Sequence, residues 1–104
     1  MLGVPSVLLE RYGTVSDETA RSMAERAKEA SASDIACSIT GVAGPGPDAE
    51  GNPAGLVFIA CSSPSLKTAA RMYEFDGSRG GIRAKAVAKA LELIEERIKE
   101  EGLS

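Results

Sequence analysis

The stretch Ser38-Ile39-Thr40-Gly41-Val42-Ala43-Gly44-Pro45-Gly46-Pro47 constrains this chain more than any other. It leaves the end of an apolar run and enters a loop dense in glycine and proline, which neither a helix nor a paired strand tolerates. Such a loop falls at the carboxyl end of a strand, where open α/β sheets bind their ligands. Glycine lets a backbone come close to a ligand, and proline holds the loop in one shape, so that less entropy is lost on binding. Thr40 is expected at the strand tip with a hydroxyl to offer. A rigid connection between strands is the competing reading of the same residues.

Around this loop the pattern gives an order of helix, helix, strand, strand, strand, helix. Pro5 to Tyr12 reads as a short helix stopped by Gly13. Ser16 reads as an N-cap, with Asp17 and Glu18 complementing the helix dipole in the first turn. Ala20, Met23, Ala24 and Ala27 then mark a face of small residues that predicts close packing on a sheet. Asp34 to Thr40 reads as a strand with Ile35, Cys37 and Ile39 on one face. Leu56 to Cys61 is apolar throughout and reads as a strand covered on both sides. Leu66 to Phe75 is the third strand, joined to the second by an antiparallel turn at Pro64-Ser65. From Gly77-Ser78-Arg79-Gly80-Gly81 a long helix runs to about Glu101. Its expected stripe is Ile82, Ala86, Ala90, Ile94 and Ile98, widened by Val87 and Leu91, with Lys85, Lys89, Glu92, Glu96 and Lys99 on the solvated side. These elements predict a single α/β domain over residues 1–104, of three-layer α/β/α type, with a small mixed sheet. A short helix at the very start makes the fold read as incomplete on its N-terminal side.

Composition removes several function classes. The chain has 104 residues, 43% of them apolar, with a net charge of −3. Interspersed charges of that balance argue against a nucleic-acid surface, and no apolar run reaches the ~20 residues of a membrane span. A cytoplasmic location is expected. Histidine is absent, which excludes Ser-His-Asp triads, Cys-His pairs and histidine metal sites. Cys37 and Cys61 fall inside predicted strands and are expected to be reduced core residues. No metal and no cofactor is expected.

Motif matches are few. Gly44-Pro45-Gly46-Pro47-Asp48-Ala49 fits G-x-G-x-x-[GA], but Gly51 and Pro53 prevent the helix that a dinucleotide site requires. There is no G-x-x-x-x-G-K-[ST] and no G-x-S-x-G. The Gly77 to Gly81 turn offers backbone N–H groups at a helix start, with Arg79 and Arg83 one turn apart, a pattern suited to an anion. A glycine-rich turn bearing two surface arginines fits it as well.

Several segments together resemble the C-terminal domain of the competence/damage-inducible protein CinA, a family whose stand-alone members are nicotinamide mononucleotide amidases. They are Leu2-Gly3-Val4, Gly13-Thr14-Val15-Ser16 leading into Glu18-Thr19-Ala20, and Thr40-Gly41-Val42-Ala43-Gly44-Pro45. Pro53-Ala54-Gly55-Leu56-Val57, Phe75-Asp76-Gly77-Ser78-Arg79 and Ile82-Arg83 follow in the family's order. The resemblance implies hydrolysis of the carboxamide of nicotinamide mononucleotide, giving nicotinic acid mononucleotide and ammonia, in pyridine nucleotide salvage. In the family a serine within a T-A-E-S-C-T-G-G-like motif attacks the amide, assisted by a lysine and a tyrosine. None of the three has a counterpart in these 104 residues, so the domain is expected to be N-terminally shortened and inactive alone. The resemblance places Thr40 and Gly41 near the reacting amide. It gives Ala43, Gly44 and Pro45 the shaping of the loop, and Arg79 and Arg83 the charged part of the substrate. Ser78 stands where the family often has an acid. The implied partner is a small-molecule mononucleotide. The alternative is a non-catalytic binding module or a self-associating domain, in which copies of a homo-oligomer cover an exposed sheet edge.

Overall fold

Ser16 starts the first helix as its sequence suggests. Its hydroxyl accepts the Thr19 N–H at 3.1 Å, and its carbonyl accepts the Ala20 N–H at 3.0 Å. We describe residues 13–31 and 34–103 of a computed structural model; the Pro5–Tyr12 helix expected from sequence lies outside them. The order is α1 (Asp17–Ser31), β1 (Ala36–Gly41), β2 (Leu56–Ser62), β3 (Ala69–Glu74) and α2 (Arg79–Glu101).

The three strands form one sheet in the order β1-β2-β3, antiparallel throughout. The expectation of a mixed sheet is therefore corrected for the described residues. A parallel neighbour needs a crossover connection, usually helical. Here both connections between strands are loops. The third strand is also shorter than expected, because Leu66 to Thr68 belong to the turn rather than the ladder.

Each face of the sheet carries one helix. On one side Ala20 and Ala24 of α1 meet Ala60 of β2, all at 0% exposure, flanked by Phe58 and Ala70. Small residues on both partners let the backbones approach, and polar groups of β1 use that closeness. Ser38 Oγ donates to the Ala20 carbonyl at 2.6 Å, fastening β1 directly to α1. On the other side Val57, Ile59 and Cys61 of β2 pack under Ile82, Ala86, Ala90 and Leu93 of α2. Both helices also hold the turn before β3: Arg21 of α1 donates to the Thr68 carbonyl, and Arg97 of α2 donates to the Lys67 carbonyl.

The buried stripe of α2 differs from the expected one. Val87 is 52% exposed and Leu91 61% exposed, while Leu93 and Arg97 are buried. Helix residues advance 100° each, so steps of four rotate roughly 40° off the starting line. The expected stripe is buried from Ile82 through Ala90, after which Ile94 and Ile98 are only partly buried and Leu93 and Arg97 take the core-facing line.

Candidate functional site

The strand end, the Gly/Pro loop and the start of α2 meet in one place. A groove of about 220 Å³ opens there, floored by Ile39 and Gly41 of β1 and Val57 of β2. Ala43 forms its loop side, and Arg79, Ile82, Arg83 and Ala86 form its helix side. Alternation along β1 decides which residues reach it. Cys37, Ile39 and Gly41 face α2, whereas Ser38 and Thr40 face α1.

This alternation separates residues that the sequence groups together. Thr40 is buried, and its hydroxyl donates to the Thr14 carbonyl at 2.6 Å, on the opposite face of the sheet from the groove. That proton is committed to the segment leading into α1 and is not presented at the strand tip. Gly41, one residue on, lines the groove. A Cβ at Gly41 would stand 2.7 Å from the Leu56 carbonyl oxygen and 2.8 Å from a Val57 methyl, so a side chain here would displace the neighbouring strand.

The loop is held by its own polar groups. Asp48 accepts the backbone N–H groups of Glu50 at 3.0 Å and Asn52 at 2.8 Å, and the Asn52 side-chain amide at 2.9 Å. The Asn52 amide foremost, with these backbone donors, holds the Asp48 carboxyl below its ordinary range. Val42 and Gly55 continue the hairpin beyond the strands, with Val42 N–H bonding the Leu56 carbonyl at 2.9 Å and Gly55 N–H bonding the Val42 carbonyl at 2.7 Å. Gly44 follows at φ +85°, and its carbonyl accepts from Arg79 Nη1 at 3.1 Å. Arg79 thereby ties the loop to the helix that begins at its own position. Pro45 is exposed, and neither Gly44 nor Pro45 is among the residues lining the groove.

The start of α2 carries no negative charge of its own. Ser78 is the N-cap, its hydroxyl accepting the Gly81 N–H at 3.1 Å, and the first turn contains no acidic residue. The remaining first-turn N–H groups have no intrahelical partner, and the helix dipole places positive potential there. Among the described residues neither Arg79 nor Arg83 has a carboxylate partner. Two guanidinium groups and a helix start thus stand beside the groove without an ion-pair partner among the described residues.

Among the described residues, those lining the groove include no nucleophile paired with a base. The described residues contain no cluster of His, Cys, Asp and Glu able to hold a metal ion, and no helix long and apolar enough to cross a membrane. What the arrangement can do is receive a small ligand with an anionic end. The sequence left the direction of Thr40 open because period-two alternation does not say which face a helix will cover. The N-cap at Ser78 was legible only as part of a glycine-rich turn.

Fold and groove together define a three-layer α/β domain with a small groove at the carboxyl end of β1. Comparison with known proteins makes this specific. The sequence profile of the CinA C-terminal domain matches residues 1–98, and the chain belongs to that family. It is 45% identical over 93 residues to a protein of Desulforamulus reducens named as competence-damage inducible, covering 89% of this chain and 22% of that protein. A CinA-like protein of Syntrophomonas wolfei is 40% identical over 101 residues, covering 97% of this chain and 24% of its own length. Among solved structures, the competence/damage inducible protein CihA of Agrobacterium tumefaciens superposes with a TM-score of 0.84 at 37% identity, over 92% of this chain and 59% of that one. A CinA superfamily protein of Enterobacter cloacae gives a TM-score of 0.87 at 30% identity, over 93% and 57%. The chain thus spans less than a quarter of the curated relatives it matches.

Proposed function

We propose that this chain forms the substrate-holding part of a nicotinamide mononucleotide amidase site, and that alone it binds the mononucleotide without hydrolysing it. One observation carries the reading: two guanidinium groups without carboxylate partners and an acid-free helix start stand beside a groove with an apolar floor. A mononucleotide is a flat ring joined through ribose to a phosphate. Arg79 and Arg83 take the phosphate by charge-assisted hydrogen bonds, while Ile39 and Val57 lie under the ring. The groove's 220 Å³ is below the roughly 300–1,000 Å³ usual for small-ligand sites. It holds part of such a ligand and leaves the rest, including the bond to be cut, toward its open side.

Turnover is not expected from these 104 residues. They contain no serine, lysine and tyrosine matching those that the resemblance credits with the covalent step. Thr40 serves this site by fixing the Thr14 segment, and Gly41 serves it by leaving room. Ammonia release and calorimetric binding, measured on one sample with nicotinamide mononucleotide, test the reading. Binding without ammonia supports it. Ammonia release would place a nucleophile within these residues and overturn it, and absence of binding would remove the substrate-holding role.

Self-association is a second reading, favoured by one observation. β1 has no strand on its outer side among the described residues, and the exposed Val87 and Leu91 lie on a face of α2 turned away from the core. An unpaired edge beside apolar helix surface is suited to pairing between copies. A monomer in sedimentation equilibrium at high concentration would exclude it.

A further inference from the structure

The groove uses one end of the sheet, and an unassigned cluster lies toward the other. Cys37 of β1 and Cys61 of β2 stand directly opposite each other in the antiparallel register, both on the face covered by α2. Both are free, with Cys61 wholly buried and Cys37 only partly so. The two thiols face each other across the ladder, close enough to shift each other's ionisation. Arg97 of α2 places its charge near Cys61, although a charged side chain at 7% exposure is costly unless something answers it. Its Nη2 reaches the Lys67 carbonyl and its Nη1 lies 3.6 Å from Glu100, but its Nε is buried with no hydrogen-bond partner. An incompletely satisfied buried cation beside two facing thiols is more than core packing requires.

We propose that Cys37 and Cys61 are a thiol–disulfide exchange site, in which Cys37 receives a small disulfide from solvent and Cys61 resolves it to a cross-strand disulfide. Geometry permits the bond. Directly opposed residues of antiparallel strands have Cα atoms ~4.5–5.5 Å apart, inside the ~4.4–6.8 Å span of disulfides. Their Cβ atoms must close by roughly 1 Å. Because β1 is paired only to β2 among the described residues, it can make that shift without breaking a second ladder.

The electrostatics divide the roles. Hydrogen bonding to Cys61, with burial adding to it, pushes the Cys37 thiol up. Hydrogen bonding to Cys37 foremost, and then the Arg97 charge, draws Cys61 down. When the pair is singly ionised, the proton therefore rests on Cys37 and the charge on Cys61. When a disulfide R–S–S–R meets the accessible Cys37, the proton passes to Cys61 and the Cys37 sulfur attacks. The R–S–S–R bond breaks, Cys37–S–S–R forms, and the departing RS⁻ takes the proton from Cys61. The Cys61 thiolate then attacks the Cys37 sulfur, forming Cys37–S–S–Cys61 and expelling the second RS⁻. The cysteines lose two electrons and the small disulfide gains them.

Oxidised glutathione is the probe, with intact-mass spectrometry as the readout and circular dichroism on the same samples to confirm folding. In native buffer the wild-type chain should lose the mass of two hydrogens and retain no glutathione. Cys61→Ser should stop at one glutathione on Cys37. Cys37→Ser should react about tenfold or more slowly than Cys61→Ser, because its remaining thiol is reached only through local opening. The proposal is overturned if the wild-type chain oxidises only in urea, keeps a glutathione in native buffer, or reacts no faster at Cys37 than at Cys61.

Discussion

Gly55→Ala should unfold this domain more effectively than a single methyl group suggests, and the reason lies at the groove's edge. Gly55 has φ +94°, and a Cβ built on it would stand 1.9 Å from the Phe75 carbonyl oxygen. To reach even a tight contact the Phe75 backbone must retreat by about 1 Å or more. That backbone is fixed, because the Phe75 N–H bonds the Gly55 carbonyl at 2.8 Å and the Gly55 N–H bonds the Val42 carbonyl at 2.7 Å. Forcing an alanine to positive φ costs about 1–2 kcal/mol. Losing one or both hydrogen bonds costs a further ~0.5–1.5 kcal/mol each. About 3 kcal/mol is therefore expected, out of the ~5–15 kcal/mol that holds a domain of this kind. At about 4–8 °C per kcal/mol, Tm should fall by roughly 12–24 °C in a thermal melt. Gly46→Ala supplies the control: its φ is +81°, but a Cβ there meets nothing within 4 Å. It should lose only the ~1–2 kcal/mol of backbone strain. Equal stability of the two variants would refute the steric part of the reasoning.

Three other expectations concern the site and its supports. Arg79→Met should weaken nicotinamide mononucleotide binding by about 1.5–3 kcal/mol, roughly tenfold or more in Kd by calorimetry, with a smaller salt dependence than the wild-type chain. Thr40→Ala should lower stability in urea unfolding by about 0.5–1.5 kcal/mol, because the hydrogen bond from the buried Thr40 hydroxyl to the Thr14 carbonyl is lost. Its Kd for the mononucleotide should stay within about twofold, since the hydroxyl faces away from the groove. Glu101 gives a pH signature. The Ser63 hydroxyl lies against its carboxylate without a well-formed hydrogen bond, while the Ser65 hydroxyl and the Ser65 and Leu66 N–H groups donate to it. Together they hold the carboxyl down to about 2, from 4.5 when unconstrained. A depressed carboxylate stabilises the fold above its unconstrained value, and that contribution is lost as pH falls toward about 2. Stability of the wild-type chain should therefore drop across this window in acid titration, and Glu101→Gln should flatten the drop.

Local signals in the sequence carried much of this fold. Ser16 and the acidic turn after it mark a helix start that depends on three neighbouring residues only. The Val42 to Gly55 region is legible as a loop because glycine and proline act on the backbone alone. What was not legible depends on partners distant in the chain. Arg97 falls outside both faces that the sequence pattern assigns to α2, and it is buried with its guanidinium on the Lys67 carbonyl across the turn before β3. Thr40 reads as an open hydroxyl until α1 is placed on its side of the sheet. The antiparallel turn between the second and third strands was legible, but the three helices and three strands of the pattern were read as a mixed sheet. No helix falls between the strands, and that alone favours antiparallel pairing. The groove is likewise a product of assembly: Arg79 and Gly41 come together only when the start of α2 docks at the end of β1.

The most direct test of the account compares nicotinamide mononucleotide with nicotinamide riboside, which has the same ring and sugar but no phosphate. If the two guanidinium groups and the start of α2 form the anion end of the site, the mononucleotide should bind about tenfold or more tightly. That advantage should disappear in Arg79→Met. Equal affinity for both compounds, or an advantage unchanged in Arg79→Met, would contradict the assignment of this groove to the mononucleotide.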